Sequence, residues 1–132
     1  MVKTMNNVKL KIKKLYKIFG KKGLSYIPLV EDGMSKQELL EKHNHVLGLN
    51  NINLEIPERK IQVIMGLSGS GKSTLIRHVN RLIEPTAGEL IVDGEDVLAM
   101  SQQQLRDFRR KKTSMVFQKF ALLPHKTVSQ NV

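Results

Sequence analysis

Gly66-Leu67-Ser68-Gly69-Ser70-Gly71-Lys72-Ser73 fits the pattern G-x-x-x-x-G-K-[ST] at every fixed position. Before it, Lys60-Ile61-Gln62-Val63-Ile64-Met65 reads as a buried strand. After it, Lys72 to Arg81 reads as a helix with Leu75, Ile76, Val79 and Leu82 on its apolar side. Strand, glycine turn and helix in that order predict a phosphate-binding loop. A triphosphate concentrates negative charge that closely spaced backbone N–H groups and a helix N-terminus can surround without steric conflict. In this reading Gly66, Gly69 and Gly71 let the backbone approach, and Leu67, Ser68 and Ser70 complete the cradle. Lys72 reaches the β- and γ-phosphates as a point charge, the Ser73 hydroxyl ligates the Mg²⁺ that bridges them, and Thr74 adds a further donor. A chance glycine turn explains neither the Lys-Ser pair after the last glycine nor the strand before the first.

The 132 residues, 40% apolar and 26% charged, suit one soluble domain or part of one. The absence of cysteine excludes a disulfide framework and a Cys-based zinc site. His43, His45, His78 and His125 lack ligand-like spacing with carboxylates, and His43 and His45 are expected in solvent. No apolar run approaches the roughly 20 residues that span a bilayer, and no secretory signal is seen, so a cytoplasmic or membrane-peripheral place is expected. The net charge of +10 raises nucleic acid or an anionic membrane face as partners. Its distribution argues otherwise, since Lys9, Lys11 and Lys13 alternate with Val8, Leu10 and Ile12, the period of a strand with one wet face. A second basic cluster runs Arg109-Arg110-Lys111-Lys112.

Val8 to Tyr16 reads as the first strand, closed by Phe19-Gly20, whose ring belongs either to the core or to a nucleotide base. Residues 21–49 look like an insertion in which Ser35-Lys36-Gln37-Glu38 is a capping box, starting a short polar helix that carries Leu39 and Leu40. No chemistry is read in it. Leu49 to Ile56 reads as an antiparallel strand, with Pro57-Glu58 turning the chain toward the phosphate loop. Beyond the loop helix come a turn at Glu84-Pro85-Thr86-Ala87-Gly88, a strand at Glu89 to Val92 and a tight turn at Asp93-Gly94. Ser101 and Gln104 then cap a helix with Leu105 and Phe108 on its apolar side, Thr113 to Phe117 reads as a further strand, and Gln118 to Val132 as a loop. Leu90-Ile91-Val92-Asp93-Gly94-Glu95 imitates an apolar strand ending in a metal-binding Asp and a catalytic Glu. Its two-residue Asp-Gly turn is better explained by a hairpin, because a Walker B strand in a parallel core is longer and continuously apolar.

With these features together, the chain resembles the N-terminal part of an ABC-transporter ATPase subunit. The resemblance rests on the strand with Phe19-Gly20, the phosphate loop, Glu84-Pro85-Thr86-Ala87-Gly88-Glu89, Asp93-Gly94, and Met115-Val116-Phe117-Gln118 with Leu123-Pro124-His125 behind it. Within the family, the insertion carrying Ser35 to Lys42, the stretch Ile64-Met65 leading into the loop, and Asn80-Arg81-Leu82-Ile83-Glu84-Pro85-Thr86 resemble quaternary-amine importers of the glycine betaine and proline type. The resemblance implies an α/β fold. It consists of a partial P-loop NTPase core of RecA-like type with the antiparallel β subdomain of the family, the helical signature subdomain being missing. Residues 1–132 then make an incomplete nucleotide-binding domain with the 21–49 segment as a subfamily-type insertion.

By the same resemblance Phe19 takes the position whose ring stacks on adenine, usually Tyr in the wider family. Gln118 matches the glutamine that joins Mg²⁺ and the attacking water to the interface with the membrane subunits. ATP and Mg²⁺ are the implied cofactors. The implied partners are transmembrane permease subunits and a second ATP-binding subunit, on the inner face of the cell membrane, with no nucleic acid expected. The intact protein would couple ATP hydrolysis to uptake of an osmoprotectant. The signature sequence of the LSGGQ type, the Walker B Asp with its catalytic Glu, and the switch His have no match here, so these residues alone are expected to lack ATPase activity. The competing readings are a non-catalytic nucleotide-binding fragment and a basic nucleic-acid-binding module using the Lys-rich strand.

Overall fold

Strand β1, Val8–Phe19, begins with the alternation read from the sequence: Leu10 and Ile12 are buried, and the intervening lysines turn to the wet face. The computed structural model describes residues 7–118 and 122–131. Lys9 pairs with Asp93 at 2.7 Å and Lys11 with Glu55 at 3.0 Å, so part of the N-terminal positive charge is matched within the fold. At Lys14 the backbone enters the left-handed region, with φ 47°, and the pairing register shifts against both neighbouring strands. This bulge is why Leu15 and Tyr16, adjacent in sequence, are both buried. It splits the strand between two cores, Leu10, Ile12 and Leu15 going to one and Tyr16 and Ile18 to the other.

β2, Val46–Pro57, pairs antiparallel with one edge of β1, and β3, Ala87–Val92, with the other; β4, Glu95–Asp96, completes the order β2-β1-β3-β4. β2 starts three residues before the predicted Leu49, so the end of segment 21–49 belongs to the sheet. β3 and β4 form the expected hairpin, with φ 51° at Asp93 and 78° at Gly94, the pair of positive values that a tight primed turn requires. The Asp93 carboxylate accepts from Lys9 and from Lys112 (3.0 Å), which hold its pKa below the ordinary carboxylate range. Asp93 is thus a hairpin corner and not the end of a metal-binding strand.

The segment read as an insertion folds as a 3-10 turn, Gly23–Tyr26, then α1, Ile27–Glu31, and α2, Lys36–His43. The capping box forms as read, with Ser35 Oγ accepting from the Glu38 N–H and the Glu38 carboxylate accepting from the Ser35 N–H. Leu39 is fully buried in the second core, whereas Leu40 is 48% exposed. Tyr16 reaches the same core and donates to Glu31 Oε1 at 3.1 Å; burial first and this carboxylate second push its hydroxyl pKa up. The expectation that His45 is solvated is corrected. The left-handed turn at Asn44 swings it inward, where its ring nitrogens lie 2.6 Å from the His43 carbonyl and 2.7 Å from that of Lys21, against the Tyr26 ring.

α3, Lys72–Val79, stops two residues short of the predicted Arg81; Leu75 is buried and Val79 packs against the first core, but Ile76 and Leu82 are 43% and 48% exposed. α4, Gln102–Lys111, is capped by Ser101 and Gln104 and buries Leu105 and Phe108 as expected. Two predicted strands do not form. Residues 60–65 and 113–117 take no regular secondary structure and lie outside the sheet, with Ile61 94%, Met65 87% and Val116 96% exposed. The reason is that strand structure is pairing: these segments carry the right side chains, but neither lies along a partner strand, and one face lacks a covering layer. Ile64 alone of the first segment packs against the core. In the segment read as a C-terminal loop, Val128–Asn131 forms a helical turn, α5, while residues 119–121 and 132 lie outside the described residues. Among the described residues no helix is long and apolar enough to cross a membrane.

Candidate nucleotide site

The phosphate loop hangs between residues 60–65 and α3, and its two ends are held differently. At its C-terminal end Gly71 takes φ 95° and forms the N-cap of α3 with no side chain capping the first turn. The leading N–H groups of the helix are therefore left for an external acceptor, the arrangement that favours an anion. A methyl group at Gly71 would stand 2.5 Å from the Gly48 carbonyl oxygen of β2, so only glycine lets the loop close onto the sheet. At the tip, Ser70 N–H donates to the Leu67 carbonyl at 3.2 Å, making a turn, while Leu67 and Met65 stand 86% and 87% exposed.

Lys72 folds back over the loop, donating to the carbonyls of Gly66 (2.7 Å) and Leu67 (2.6 Å) and to Ser70 Oγ (3.3 Å). Its ammonium is thus held inside the loop's curve while remaining open to solvent. Ser73 and Lys72 line an open cleft of about 700 Å³ together with Ile64, Arg77, Phe117 and Gln118. A hydroxyl and an amide oxygen, both neutral hard-oxygen donors, beside a cation-lined phosphate cradle suit a Mg²⁺ that also takes phosphate oxygens and waters. Among the described residues no carboxylate lines this cleft. Gln118 thus reaches the loop helix although the strand predicted to deliver it does not form.

Phe19 lies on the other side of the loop, at the end of β1. Its ring is 39% exposed, with the Lys17 ammonium 5.0 Å from the ring centroid. A Cβ at Gly48 would come 2.6 Å from this ring, and Gly48 also closely approaches Gly71. Tyr16 is buried and hydrogen-bonded, whereas the Phe19 ring keeps a face open to solvent. Thr74, the third residue of α3, is half-buried, and its carbonyl accepts from the His78 ring at 2.7 Å. His78 is wholly enclosed, and burial pushes its pKa below the ordinary value, which keeps the imidazole neutral.

The C-terminal end of α3 is anchored by arginines that the sequence presented as surface charge. Arg81 donates to Glu84 and to the carbonyls of Val97 and Met100, and Arg109 to the carbonyls of Asn80 and Arg81. Arg109 of the second basic cluster therefore braces the segment that follows α3. Sequence reasoning missed Gly48, whose role depends on two distant neighbours, and Lys36 of α2, which donates to the Gly69 carbonyl at 3.1 Å. Neither left a local signal.

Residues 49–131 match the ABC transporter family. The chain is 51% identical, over 94% of its length, to the glycine betaine transport ATP-binding protein OpuAA of Bacillus subtilis (strain 168). It is 53% identical, also over 94%, to the glycine betaine/proline betaine transport system ATP-binding protein ProV of Escherichia coli (strain K12). It spans 30% and 31% of those two proteins, just under a third of their length. Among solved structures it is similar to a dimeric ATP-binding cassette in a post-hydrolysis state bound to ADP and Pi. That likeness has a TM-score of 0.71 and 32% identity, over 93% of this chain and 44% of the other.

Proposed function

The chain belongs to the ABC transporter family, and from that premise we propose that it is the nucleotide-binding part of an ATP-binding subunit powering import of a quaternary amine of the glycine betaine or proline betaine type. The observation that carries the nucleotide reading is the cleft that gathers Lys72, Ser73 and Gln118 beside an uncapped helix N-terminus. The substrate class rests on the names and identities of the relatives. In this reading the loop N–H groups and Lys72 bind the phosphates of ATP, Phe19 stacks on the base, and Ser73 with Gln118 holds Mg²⁺. The metal, when bound, supplies charge neutralisation between the phosphates. Transmembrane permease subunits and a second ATP-binding subunit are the partners, and the protein works on the inner face of the membrane.

These residues bind nucleotide without turning it over. Hydrolysis needs a general base besides charge stabilisation, and among the described residues that line the cleft Lys72 and Arg77 bring positive charge but no carboxylate or imidazole is present, Gln118 supplying a neutral amide. Glu95, the rival carboxylate, sits in β4 at the edge of the sheet opposite β2 and does not line that cleft. Titration with a fluorescent ATP analogue and Mg²⁺, beside a phosphate-release assay, tests both halves. Saturable binding abolished by Lys72→Ala, with no phosphate release above the Lys72→Ala background, is expected. Binding indifferent to Lys72→Ala overturns the site, and turnover lost in Glu95→Gln restores the hairpin carboxylate as catalytic. A nucleic-acid module would instead bind single strands with an affinity that falls steeply with salt.

A further inference from the structure

We propose that Lys36 is a positioning residue for the phosphate loop, an arm by which the insertion holds the loop tip at Gly69 and so couples itself to nucleotide binding. The inference rests on the nucleotide reading above. Lys36 Nζ donates to the Gly69 carbonyl at 3.1 Å, across 33 residues of sequence. The Lys72 bonds and the Ser70–Leu67 turn lie within the loop itself, whereas Lys36 reaches it from another element, on a side that is open enough for a methyl at Gly69 to meet nothing within 4 Å. Fixing one residue's backbone costs on the order of 1 kcal/mol, so a loop that is tethered before the ligand arrives binds it more tightly than one that is not.

The base of the arm is itself fixed. Lys36 is the first residue of α2, whose start is set by the Ser35/Glu38 capping box and whose Leu39 is fully buried in the second core. Only the lysine side chain remains to be ordered. In a phosphate-binding loop the N–H groups converge on the anion, and a carbonyl engaged by an outside cation leaves them free to do so. Lys36 therefore acts on the loop from outside, in contrast to Lys72, which lies within its curve. Coupling of this kind is reciprocal: if Lys36 favours nucleotide, nucleotide must steady α2. The insertion, in which the sequence displays no chemistry, thereby becomes part of the site's support.

The test compares wild type, Lys36→Ala, Lys36→Arg and Lys72→Ala in the full chain, by titration with a fluorescent ATP analogue and Mg²⁺ and by amide exchange of α2. Lys36→Ala should weaken affinity about three- to tenfold, the range of one charged hydrogen bond in solvent. Lys36→Arg, which still donates, should recover most of it. Nucleotide should slow exchange in α2 of the wild type and leave Lys36→Ala unchanged. Wild-type affinity in Lys36→Ala, with Lys72→Ala inactive, overturns the arm and leaves the nucleotide reading standing. Affinity untouched by Lys72→Ala, or absent in wild type, ends both. A Lys36→Ala defect that Lys36→Arg fails to rescue, or that comes with lost protection in β1, also overturns it, as damage to folding.

Discussion

β1 and residues 60–65 make an instructive pair, because both are apolar segments that read as strands and only one of them is one. In β1, Ile12 and Leu15 are 2% and 0% exposed, paired to β2 on one side and β3 on the other. In the second segment Ile61 and Met65 are 94% and 87% exposed, and the chain continues from there into the phosphate loop. Apolar sequence supplies the tendency to be buried, but pairing partners and a covering layer supply the structure. The molecule is thus an antiparallel sheet to which the glycine-rich loop is held at a few points: Gly71 against Gly48, Lys36 on Gly69, and the end of α3 braced by arginines.

The largest expected effect separates the two regions directly. Leu15→Ala should cost about 2–5 kcal/mol of stability by opening a cavity in the core, while Ile61→Ala should stay within about 0.5 kcal/mol. Urea unfolding followed by circular dichroism measures both, and equal losses would erase the distinction. Gly71→Ala strikes the joint between them. The strained φ of 95° and the collision with the Gly48 carbonyl should cut affinity for ATP about tenfold or more, while β1 stays folded. A titration with unchanged affinity would mean that the loop does not need that joint.

A smaller effect is expected at Phe19. Phe19→Ala should weaken ATP binding by about 1 kcal/mol, and Phe19→Tyr should be nearly silent, because stacking survives in tyrosine. If Phe19→Ala binds ATP normally, the sheet side of the loop contributes no base contact.

The smallest effect is electrostatic and belongs to the sheet side alone. The carbonyls of Lys21 and His43 can both be satisfied only by a doubly protonated His45 ring; the Lys21 carbonyl first and that of His43 second raise its pKa, burial opposing them. A group whose folded pKa is raised adds stability that is full below its unfolded value of about 6.5 and is lost as pH rises through the folded value. Melts from acidic to mildly alkaline pH should therefore show a small decline that is absent in His45→Gln. A pH dependence of opposite sign would mean that the ring is held neutral.

Much of the sheet and its helices was legible because the signals were local. The alternation of Lys9 to Ile12, the capping boxes at Ser35 and Ser101 and the Asp93-Gly94 turn each carry their own physics within a few residues. The phosphate loop was legible for the same reason, since Gly71, Lys72 and Ser73 announce a backbone shape and a charge together. What was not legible depends on partners far along the chain. Whether residues 60–65 and 113–117 pair, where the His45 ring turns, and which lysine of a charged helix reaches Gly69 are decided by three-dimensional neighbours that no window contains. The surplus of lysine and arginine misled in the same way, because Arg109 and Lys112 look like surface charge until Asn80, Arg81 and Asp93 are brought beside them.

Amide hydrogen exchange of the full chain, with and without ATP and Mg²⁺, tests most directly whether a rigid sheet carries a loop that nucleotide orders. The amides of β1 and β3 should be protected in both states. Those of residues 60–74 should exchange fast alone and slow markedly with nucleotide, and Lys72→Ala should abolish the slowing. Protection of residues 60–65 equal to that of β1 without ligand, or no slowing at residues 66–74 with it, would contradict this.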